Sequence, residues 1–408
     1  MGIHVNSEIM PLRKVLLHRP GNELLNLTPD SLQRLLYDDI PYLPVAQREH
    51  DEFANILRNN GVDVVYLEDL MAEVLNMYPE LKEKFLKQFI KEAGIKTPKY
   101  KQVIYNFLCS FDDNKELVLK TMEGININEL HAMERDIEHS LIDFTAGESK
   151  FLADPMPNLV FTRDNFASVG HGVSLNKMFS QTRNRETIYA DYIFNYHPDF
   201  KDQVVKYYDR DYPYHIEGGD ILVLNNHTLA VGISQRTMAE SIEQLATNMF
   251  KDQDCNFDTI LAFSIPVSRA FMHLDTVFTQ IDYDKFTYHP GIMETLQVFE
   301  IKEGDEELLD VKEMKDSLEN ILTKYVGRNV TLIPCGGGDK VISEREQWND
   351  GSNTLCIAPG VVVVYDRNTV TNAILKRYGI KVLEMHGSEL SRGRGGPRCM
   401  SMPLIRED

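Results

Sequence analysis

Four short motifs in the sequence place acidic, basic and nucleophilic side chains among glycine or apolar residues. They are Phe161-Thr162-Arg163-Asp164, Glu217-Gly218-Gly219-Asp220, His273-Leu274-Asp275 and Gly393-Arg394-Gly395-Gly396-Pro397-Arg398-Cys399. The first and third are predicted to lie in strands, which would turn His273 and Asp275, two residues apart, to the same face. These residue types are the ones that acid–base and nucleophilic catalysis require.

Cys399 has the sequence setting of a reactive thiol. Its loop is too rich in glycine to be expected in a packed core, and three arginines flank it, namely Arg392, Arg394 and Arg398. Nearby positive charge lowers the pKa of a thiol, and the thiolate is the nucleophilic form. We therefore predict that Cys399 is a nucleophile, although the arginines fit a solvated surface segment equally well.

Each motif also has a purely structural interpretation. A lone cysteine is more often a small buried hydrophobic residue than a nucleophile. His273 and Asp275 are explained equally well as an ordinary structural hydrogen-bonded pair and as catalytic groups. The Glu217 motif fits a simple turn, and Arg163 with Asp164 fits a buried ion pair. Taken singly, none of the motifs establishes an activity.

The chemistry that uses all of these groups together is attack on a guanidinium, a planar cation and a poor electrophile. Carboxylates of Asp164 and Asp275 would grip its nitrogens and hold positive charge on the central carbon. The thiolate of Cys399 would attack that carbon. His273, oriented by Glu217, would protonate departing ammonia and then deprotonate water. These steps need no metal, because the substrate's own charge makes the carbon electrophilic.

A metal-dependent hydrolase is the main alternative from the residues alone. His215 and Glu217, with His273 and Asp275, would supply two imidazoles and two carboxylates to one divalent ion. A catalytically silent binding protein is a third hypothesis. The joint presence of the thiol, the imidazole and three carboxylates disfavours it.

A repeated unit of two strands, an amphipathic helix and a third strand is predicted to position these residues. The clearest copy runs from Gly218 to Pro266, and one face of its helix carries Met238, Ile242, Leu245 and Met249. A second copy lies at 354–385, where Asn368 is predicted to cap a helix whose inner face carries Val370, Ile374 and Tyr378. Three looser copies begin at KVLLH, NLVFTRDNFASVG and HLDTVFTQID.

Five small α/β units, each burying one sheet face, predict radial packing around an axis. The expected fold class is therefore α/β, a five-bladed pseudo-symmetric propeller of ββαβ modules. A conventional doubly wound sheet is the alternative, but its strands more often alternate singly with helices.

The segment from about residue 77 to 152 does not show the repeated ββαβ pattern. Two amphipathic helical patterns occur there, with Leu81, Phe85, Leu86, Phe89 and Ile90 in the first and Leu130, Met133, Ile137 and Leu141 in the second. The predicted organisation is a catalytic propeller formed by 1–76 and 153–408, with an inserted α-helical domain at 77–152. A structural or oligomer-facing role is expected for the insert.

The composition narrows the classes of partner. The formal net charge is -19, from 43 basic and 62 acidic residues, which disfavours nucleic acid and anionic membranes and suits a cationic substrate. Acidity that simply aids solubility is the plainer interpretation. The five cysteines form no C-x-x-C pair, and no apolar leader or transmembrane run is found. We expect a cytoplasmic protein with free thiols.

The set FTRD, EGGD, HLD and SRGRGGPRC, in this order and with Met-Pro following the cysteine, resembles the arginine deiminase family. The resemblance covers essentially the whole chain. It implies a five-bladed propeller and hydrolysis of L-arginine to L-citrulline and ammonia without metal or cofactor. It also implies a homo-oligomer, a dimer or tetramer. An amidinotransferase or another guanidine deiminase of the same fold is the nearest alternative, although the arginine cluster disfavours agmatine, which lacks a carboxylate.

The resemblance also assigns roles. It makes Cys399 the nucleophile and His273 the acid and base, with Glu217 as its partner and Asp164 and Asp275 holding the guanidinium. The substrate's amino-acid end is expected to contact Asn158, Phe161, Arg183, Arg236, Gly393 and Arg394, with Phe161 packing on the aliphatic stem. Arg185 is the alternative to Arg183. The acidic segment Asp38 to Leu43 is expected either to cover the site or to be an ordinary connector.

Overall fold

The computed structural model describes residues 2–133 and 151–408, which form a mixed α/β fold. The strands, numbered in chain order, are β1 Leu12–Leu17, β2 Asp63–Tyr66, β3 Ile125–Asn126, β4 Phe151–Ala153, β5 Phe166–Val169, β6 Gly172–Leu175, β7 Val205–Tyr208, β8 Ile221–Val223, β9 Thr228–Ile233, β10 Thr259–Ser264, β11 Phe278–Asp282, β12 Lys285–Tyr288, β13 Gln297–Glu303, β14 Leu309–Glu313, β15 Thr331–Pro334, β16 Leu355–Ala358, β17 Val361–Tyr365, β18 Lys381–Met385 and β19 Met402–Arg406. The α-helices of the described residues are Leu32–Leu35, Leu43–Asn59, Leu67–Met77, Leu81–Glu92, Pro98–Cys109, Asn114–Glu123, Ile127–Met133, Thr162–Asn165, Gln181–Asn184, Ile188–Tyr196, Ala239–Phe250, Leu274–Val277, Leu318–Val326, Lys340–Trp348 and Thr369–Arg377.

The repeated ββαβ unit is confirmed. In β5-β6-β7, β8-β9-β10, β11-β12-β15 and β16-β17-β18 the first two strands are antiparallel, and the third is parallel to the second. A helix precedes the third strand in each, because a parallel return needs a crossover connection. The fifth unit has the same geometry, but its first strand is β19, which pairs antiparallel with β1 while β2 lies parallel to β1.

The sheets are separate. In the described ranges the strands form six sheets, and none of these closes on itself. The unit containing β11 and β12 departs from the repeat, because the hairpin β13-β14 is inserted before its helix and extends the neighbouring sheet through β10. The sequence patterns did not reveal this hairpin.

The helices bury most of the apolar residues that the sequence placed on their inner faces, but Met238 precedes its helix and is only half-buried. Ile242, Leu245 and Met249 are buried on Ala239–Phe250. Asn368 precedes the helix Thr369–Arg377, but its side chain makes no capping hydrogen bond and donates instead to the Asn349 carbonyl at 2.9 Å. Tyr378 follows the last helical residue and is 46% exposed, so its predicted place on the inner face was wrong.

The described residues 77–133 of the predicted insert are mainly helical, as the first amphipathic pattern indicated. All five apolar residues of the first pattern are buried on Leu81–Glu92. Phe85 packs its ring against Tyr189 and Tyr192 of Ile188–Tyr196, with centroids 6.1 and 5.5 Å apart. Leu130 of the second pattern is buried, whereas Met133, Ile137 and Leu141 lie outside the described side chains.

Candidate active site

The Phe161 motif was predicted to lie in a strand, and the structure corrects this. Thr162–Asn165 is a single helical turn that precedes β5. The Thr162 hydroxyl donates to the carbonyls of Leu16 and Met400, at 3.1 and 3.2 Å. These contacts come from residues far away in the chain, so tertiary bonding sets the local backbone. The turn brings Asp164 into the site from the start of the second unit.

The His273 motif was also wrongly predicted to be a strand. His273 has extended backbone and precedes the helical turn Leu274–Val277. Glu217 lies just before the short 3-10 turn Gly218–Asp220, which leads into β8. A Cβ at Gly219 would lie 2.6 Å from Nδ1 of His273, so only glycine lets the imidazole approach this closely.

The Cys399 loop was expected to be too rich in glycine to pack, but it is buried. Cys399 is 4% exposed, and its backbone N–H donates to Oδ1 of Asn353 at 3.0 Å. Nδ2 of Asn353 donates to the Asp275 carbonyl, also at 3.0 Å. A Cβ on Gly395 would lie 2.3 Å from Cε1 of Phe161. The glycines therefore let the aromatic ring and the loop backbone pack closely.

One buried cavity of about 20 Å³ brings most of the predicted residues together. Its lining includes Asn158, Phe161, Asp164, Arg183, Arg236, Met272, His273, Gly393, Arg394 and Cys399. The two other predicted residues contact this lining, since Glu217 is hydrogen-bonded to His273 and Asp275 lies beside the thiol of Cys399. All the predicted site residues therefore lie close together. This volume holds about one water molecule, so a larger ligand requires the site to open.

Asp164 and Asp275 each keep one carboxylate oxygen without a hydrogen bond. Oδ2 of Asp164 accepts from Nη1 of Arg183 at 2.9 Å, and Oδ2 of Asp275 accepts from Nη1 of Arg398 at 2.7 Å. Both Oδ1 atoms are buried and receive no hydrogen bond from the residues that the structure describes. A buried acceptor without a donor is costly, and a planar cation with several N–H groups would satisfy both.

His273 and Glu217 form a buried charged pair. Nε2 of His273 donates to Oε2 of Glu217 at 2.7 Å, and Nδ1 lies 3.8 Å from Oδ1 of Asp164. Burial disfavours the charged imidazole, but Asp164, Glu217 and Asp220 outweigh it and raise the pKa of His273 to about 9. Burial likewise opposes ionisation of Glu217, but Arg236 and His273 hold its pKa well below the ordinary value. The imidazolium is therefore available as an acid at neutral pH.

The electrostatic setting of Cys399 differs from the prediction. Burial, and then the charges of Asp275, Asp164 and Asp350, raise the pKa of the Cys399 thiol well above its ordinary value. Arg398 acts to lower this pKa, but its charge is shared with the carboxylates it binds. The S–H points at Oδ2 of Asp275, 3.6 Å away. Without a ligand the group is therefore a thiol, not the thiolate that the arginine cluster suggested.

The other two arginines of the loop make different contacts. Arg392 forms ion pairs with Asp39 and Glu389 at the surface. The Arg394 guanidinium stacks on Trp348, 3.5 Å from the ring centroid, and its backbone has a left-handed φ of 63°.

Three of the residues expected at the amino-acid end of a substrate are already bound to neighbours. Arg183 pairs with Asp164 and Glu186, and Nη1 of Arg236 lies 3.5 Å from Oε2 of Glu217. Nδ2 of Asn158 donates to the Leu35 carbonyl at 2.6 Å.

The choice between Arg183 and Arg185 is resolved in part by position. Arg183 lines the cavity. Arg185 directs its guanidinium at the carbonyls of Asp154 and Pro155.

The described residues do not assemble the four-ligand metal set that the alternative of a metal-dependent hydrolase requires. Nδ1 of His215 is 2.8 Å from the Arg236 carbonyl, and Asp275 is bound by Arg398. The described residues contain instead one group with the spacing of a metal site, Asp164, Glu217 and His273. Arg183 and Arg236 already bind these carboxylates. Two adjacent cations make the group a poor site for a divalent ion.

Several residues at the site carried no sequence signal. Glu8 binds Arg398 through both carboxylate oxygens, and Asn353 holds the backbones of Cys399 and Asp275. Neither stands beside a motif, and long-range contacts alone place them. Trp348 is the single tryptophan of the chain, which was the one available hint of a special role.

The segment before the helix Leu43–Asn59 covers part of the site. Leu36 lines the cavity, and the Tyr37 ring stacks on Phe161 with centroids 6.4 Å apart. Asp39 pairs with Arg392, and the Tyr42 N–H donates to Oε2 of Glu389 at 2.7 Å.

Among the described residues, no helix has the length and apolarity that crossing a membrane requires. Two solved structures with low sequence identity share the fold. An amidinotransferase from Microseira wollei is 16% identical, covers 100% of this chain and 98% of its own, and has a TM-score of 0.54. A dimethylarginine dimethylaminohydrolase from Pseudomonas aeruginosa is 14% identical, with 96% and 98% coverage and a TM-score of 0.51.

Much closer relatives carry one name. The profile of the family described as "Arginine deiminase" matches residues 33–406. An arginine deiminase from Treponema denticola is 58% identical over 408 residues, covering 100% of this chain and 99% of the relative. One from Clostridium perfringens is 57% identical over 410 residues, covering 100% and 98%. The chain belongs to the arginine deiminase family.

Proposed function

We propose that the protein hydrolyses L-arginine to L-citrulline and ammonia, with Cys399 as a covalent nucleophile. One observation carries the proposal. The thiol of Cys399, the imidazolium of His273 and the carboxylate of Asp164 line a single small cavity, and the carboxylate of Asp275 lies beside the thiol. Each of the two carboxylates has one oxygen without a hydrogen bond. The arrangement matches the shape, charge and hydrogen-bonding capacity of a guanidinium.

Binding places the guanidinium between Asp164 and Asp275. Its N–H groups donate to the two free Oδ1 atoms, which fixes its plane and holds charge on the central carbon. Because the cavity of about 20 Å³ is smaller than arginine, entry requires movement of the covering residues. We propose that the segment Asp38 to Leu43 moves for this purpose.

The substrate itself activates the nucleophile. The negative charges of Asp275 and Asp164 raise the pKa of the thiol, and a cation seated between them offsets that effect. The thiol proton is then released to water, and the thiolate faces the carbon of the bound cation. Unreactive without substrate, Cys399 becomes nucleophilic only when the correct charge is present.

The first half-reaction forms a carbon–sulfur bond and breaks a carbon–nitrogen bond. Sγ attacks the guanidinium carbon, and the tetrahedral adduct expels one nitrogen as ammonia after His273 donates a proton. Nδ1 is the nitrogen for this transfer, because Nε2 is bound to Glu217. A cationic thiouronium on Cys399 remains.

The second half-reaction reverses the role of His273. The neutral imidazole takes a proton from water while the oxygen attacks the thiouronium carbon. Collapse of the adduct breaks the carbon–sulfur bond, and the hydroxyl proton returns to the thiol as citrulline leaves. Glu217 stabilises the imidazolium that forms again.

The amino-acid end of the substrate is proposed to contact Asn158, Phe161, Arg183, Arg236, Gly393 and Arg394. Three arginines line one cavity in an acidic protein. A substrate carboxylate would pair with them, so arginine is favoured over agmatine.

The remaining proposals concern the architecture, the location and the assembly of the protein. Five ββαβ units support a five-bladed propeller formed by 1–76 and 153–408, with 77–152 as an inserted helical domain. The five described cysteines are free thiols, which supports a cytoplasmic location. Assembly as a homo-oligomer, a dimer or tetramer, is proposed from the family alone.

The decisive experiment combines product detection with trapping. Wild-type protein with arginine is expected to give citrulline, and acid quenching is expected to leave a thiouronium mass on the Cys399 peptide. Cys399→Ser should lose both signals. Cys109→Ser, which changes an exposed thiol on the helix Pro98–Cys109, should keep both. Citrulline formation by Cys399→Ser, or transfer of the amidino group to an added amine, would refute the proposal.

A further inference from the structure

Glu8 is a buried carboxylate with no part in the reaction steps above. It lies in the segment before β1 and is 7% exposed. Its backbone N–H donates to the Val223 carbonyl at 2.7 Å, and the Val223 N–H donates to Oε1 of Glu8 at 3.1 Å. Val223 belongs to β8, so the carboxylate is held on a sheet rather than on a mobile loop.

Arg398 links Glu8 to Asp275. Its Nε and Nη2 donate to the two oxygens of Glu8, both at 3.0 Å, and this paired arrangement fixes the plane of the guanidinium. Nη2 also donates to the Ile221 carbonyl at 2.9 Å. Only Nη1 is then directed at Asp275, where it meets Oδ2 at 2.7 Å and leaves Oδ1 unbonded.

We propose that Glu8 is a positioning residue for the reaction, because its grip on Arg398 keeps one oxygen of Asp275 available to the substrate guanidinium. The inference rests on the function proposed above. Without Glu8, two nitrogens of Arg398 are available to Asp275. Side-on pairing would then occupy both carboxylate oxygens, including the one that the substrate needs.

Glu8 also balances charge beside the nucleophile. Five buried charged groups interact there as a cluster, two carboxylates (Glu8 and Asp275) and three guanidinium groups (Arg163, Arg398 and Arg406). Arg163 connects the cluster to the loop of the thiol, since its backbone N–H donates to the Cys399 carbonyl at 3.1 Å and its Nε donates to the Arg398 carbonyl at 3.3 Å. Removal of the Glu8 charge increases the excess positive charge there, which favours the thiolate.

The charge on Glu8 persists across the working range of pH. Burial opposes its ionisation, but Arg398 and Arg163 outweigh burial and lower the pKa of Glu8 to about 2. Glu8 is therefore a constant part of the site and not a pH switch.

The test compares Glu8→Gln with wild type by two measurements. One is KM and kcat for citrulline formation, and the other is the pH midpoint of iodoacetamide labelling at the Cys399 peptide without substrate. Loss of such a supporting contact is expected to raise KM about tenfold to a hundredfold. The labelling midpoint should move about one unit to lower pH, which is about tenfold more thiolate at a given pH.

Two further variants separate positioning from general damage. Glu68→Gln removes the charge of another buried carboxylate, paired with His18 at 2.8 Å, and should leave both measurements unchanged. Glu8→Asp keeps the charge but is too short to hold Nε and Nη2 together. It should raise KM while leaving the labelling midpoint near that of wild type.

The outcomes distinguish this inference from the proposed function. A folded Glu8→Gln protein with wild-type KM and wild-type labelling midpoint overturns the inference. If that variant does not fold, a wild-type KM in Glu8→Asp overturns it instead. Absence of citrulline formation by wild-type protein refutes the function, whereas the labelling comparison needs no substrate and still reports on the charge of Glu8.

Discussion

Replacing Glu217 with glutamine removes the charge that holds a proton on His273. In wild-type protein the pKa of His273 is raised to about 9, so the acid form dominates at neutral pH and is lost as the pH rises through that value. We therefore expect the alkaline limb of kcat/KM against pH to fall near 9. In Glu217→Gln burial still disfavours the imidazolium, while the negative charge of Glu217 that stabilises it is absent.

The magnitude follows from the 2.7 Å contact between Nε2 of His273 and Glu217. A hydrogen bond to a charged group contributes about 1.5–3 kcal/mol. One pKa unit corresponds to about 1.4 kcal/mol, so the loss lowers the pKa of His273 by about one to two units. Asp164 and Asp220 still favour the charged form, which limits the shift. The alkaline limb should move to between about 7 and 8.

The assay is colorimetric citrulline formation from pH 5 to 10 (about half-unit steps), supported by an NMR titration of the His273 ring. Glu68→Gln is the matched control, because it changes a buried, ion-paired glutamate that does not contact His273. Its alkaline limb should coincide with that of wild type. A Glu217→Gln enzyme that is slower at every pH but keeps its alkaline limb near 9 would show that Glu217 does not set the protonation of His273.

Three further predictions concern the same cavity. Asp164→Asn and Asp275→Asn should each raise KM for arginine about tenfold to a hundredfold, because each loses a charged hydrogen-bond acceptor that contributes about 1.5–3 kcal/mol. KM is measured from initial rates, and a wild-type KM in both variants would contradict the proposed guanidinium site. Gly219→Ala should lower kcat, since the added Cβ would lie 2.6 Å from Nδ1 of His273; steady-state rates with unchanged kcat would show that the ring has room to shift. Citrulline formation should survive exhaustive dialysis against a chelator, because two arginines already bind the carboxylates that a metal ion would need. A loss of activity that a divalent ion restores would favour the metal-dependent alternative.

The sequence was informative wherever a pattern is local. The ββαβ units follow from short apolar strands and from helices with one apolar face, such as Ala239–Phe250. The motifs identified the residues that converge on one cavity, although their separation in the chain exceeds two hundred positions. Residue type and order were enough to identify these site residues, because the proposed reaction requires a particular set of chemical groups.

The sequence was misleading where distant contacts decide the outcome. Apolar neighbours suggested strands for the Phe161 and His273 motifs, but both form single helical turns. Thr162 shows the reason, since its hydroxyl is held by carbonyls that belong to β1 and to the loop after Cys399. The resting protonation of the thiol could not be predicted from the sequence for the same reason. Neighbouring arginines are visible in the sequence, whereas burial and the opposing aspartates are not.

The pairing of β19 with β1 has a consequence for how activity is acquired. β19 begins three residues after Cys399 and docks on a strand almost four hundred positions away, a contact with a large loop-closure cost. Until it docks, β1 presents an open edge, and the nucleophile is not seated. During refolding from denaturant, turnover should therefore return with the slowest phase, after most helical signal has recovered, and a chain stalled before that step should be inert and prone to aggregate.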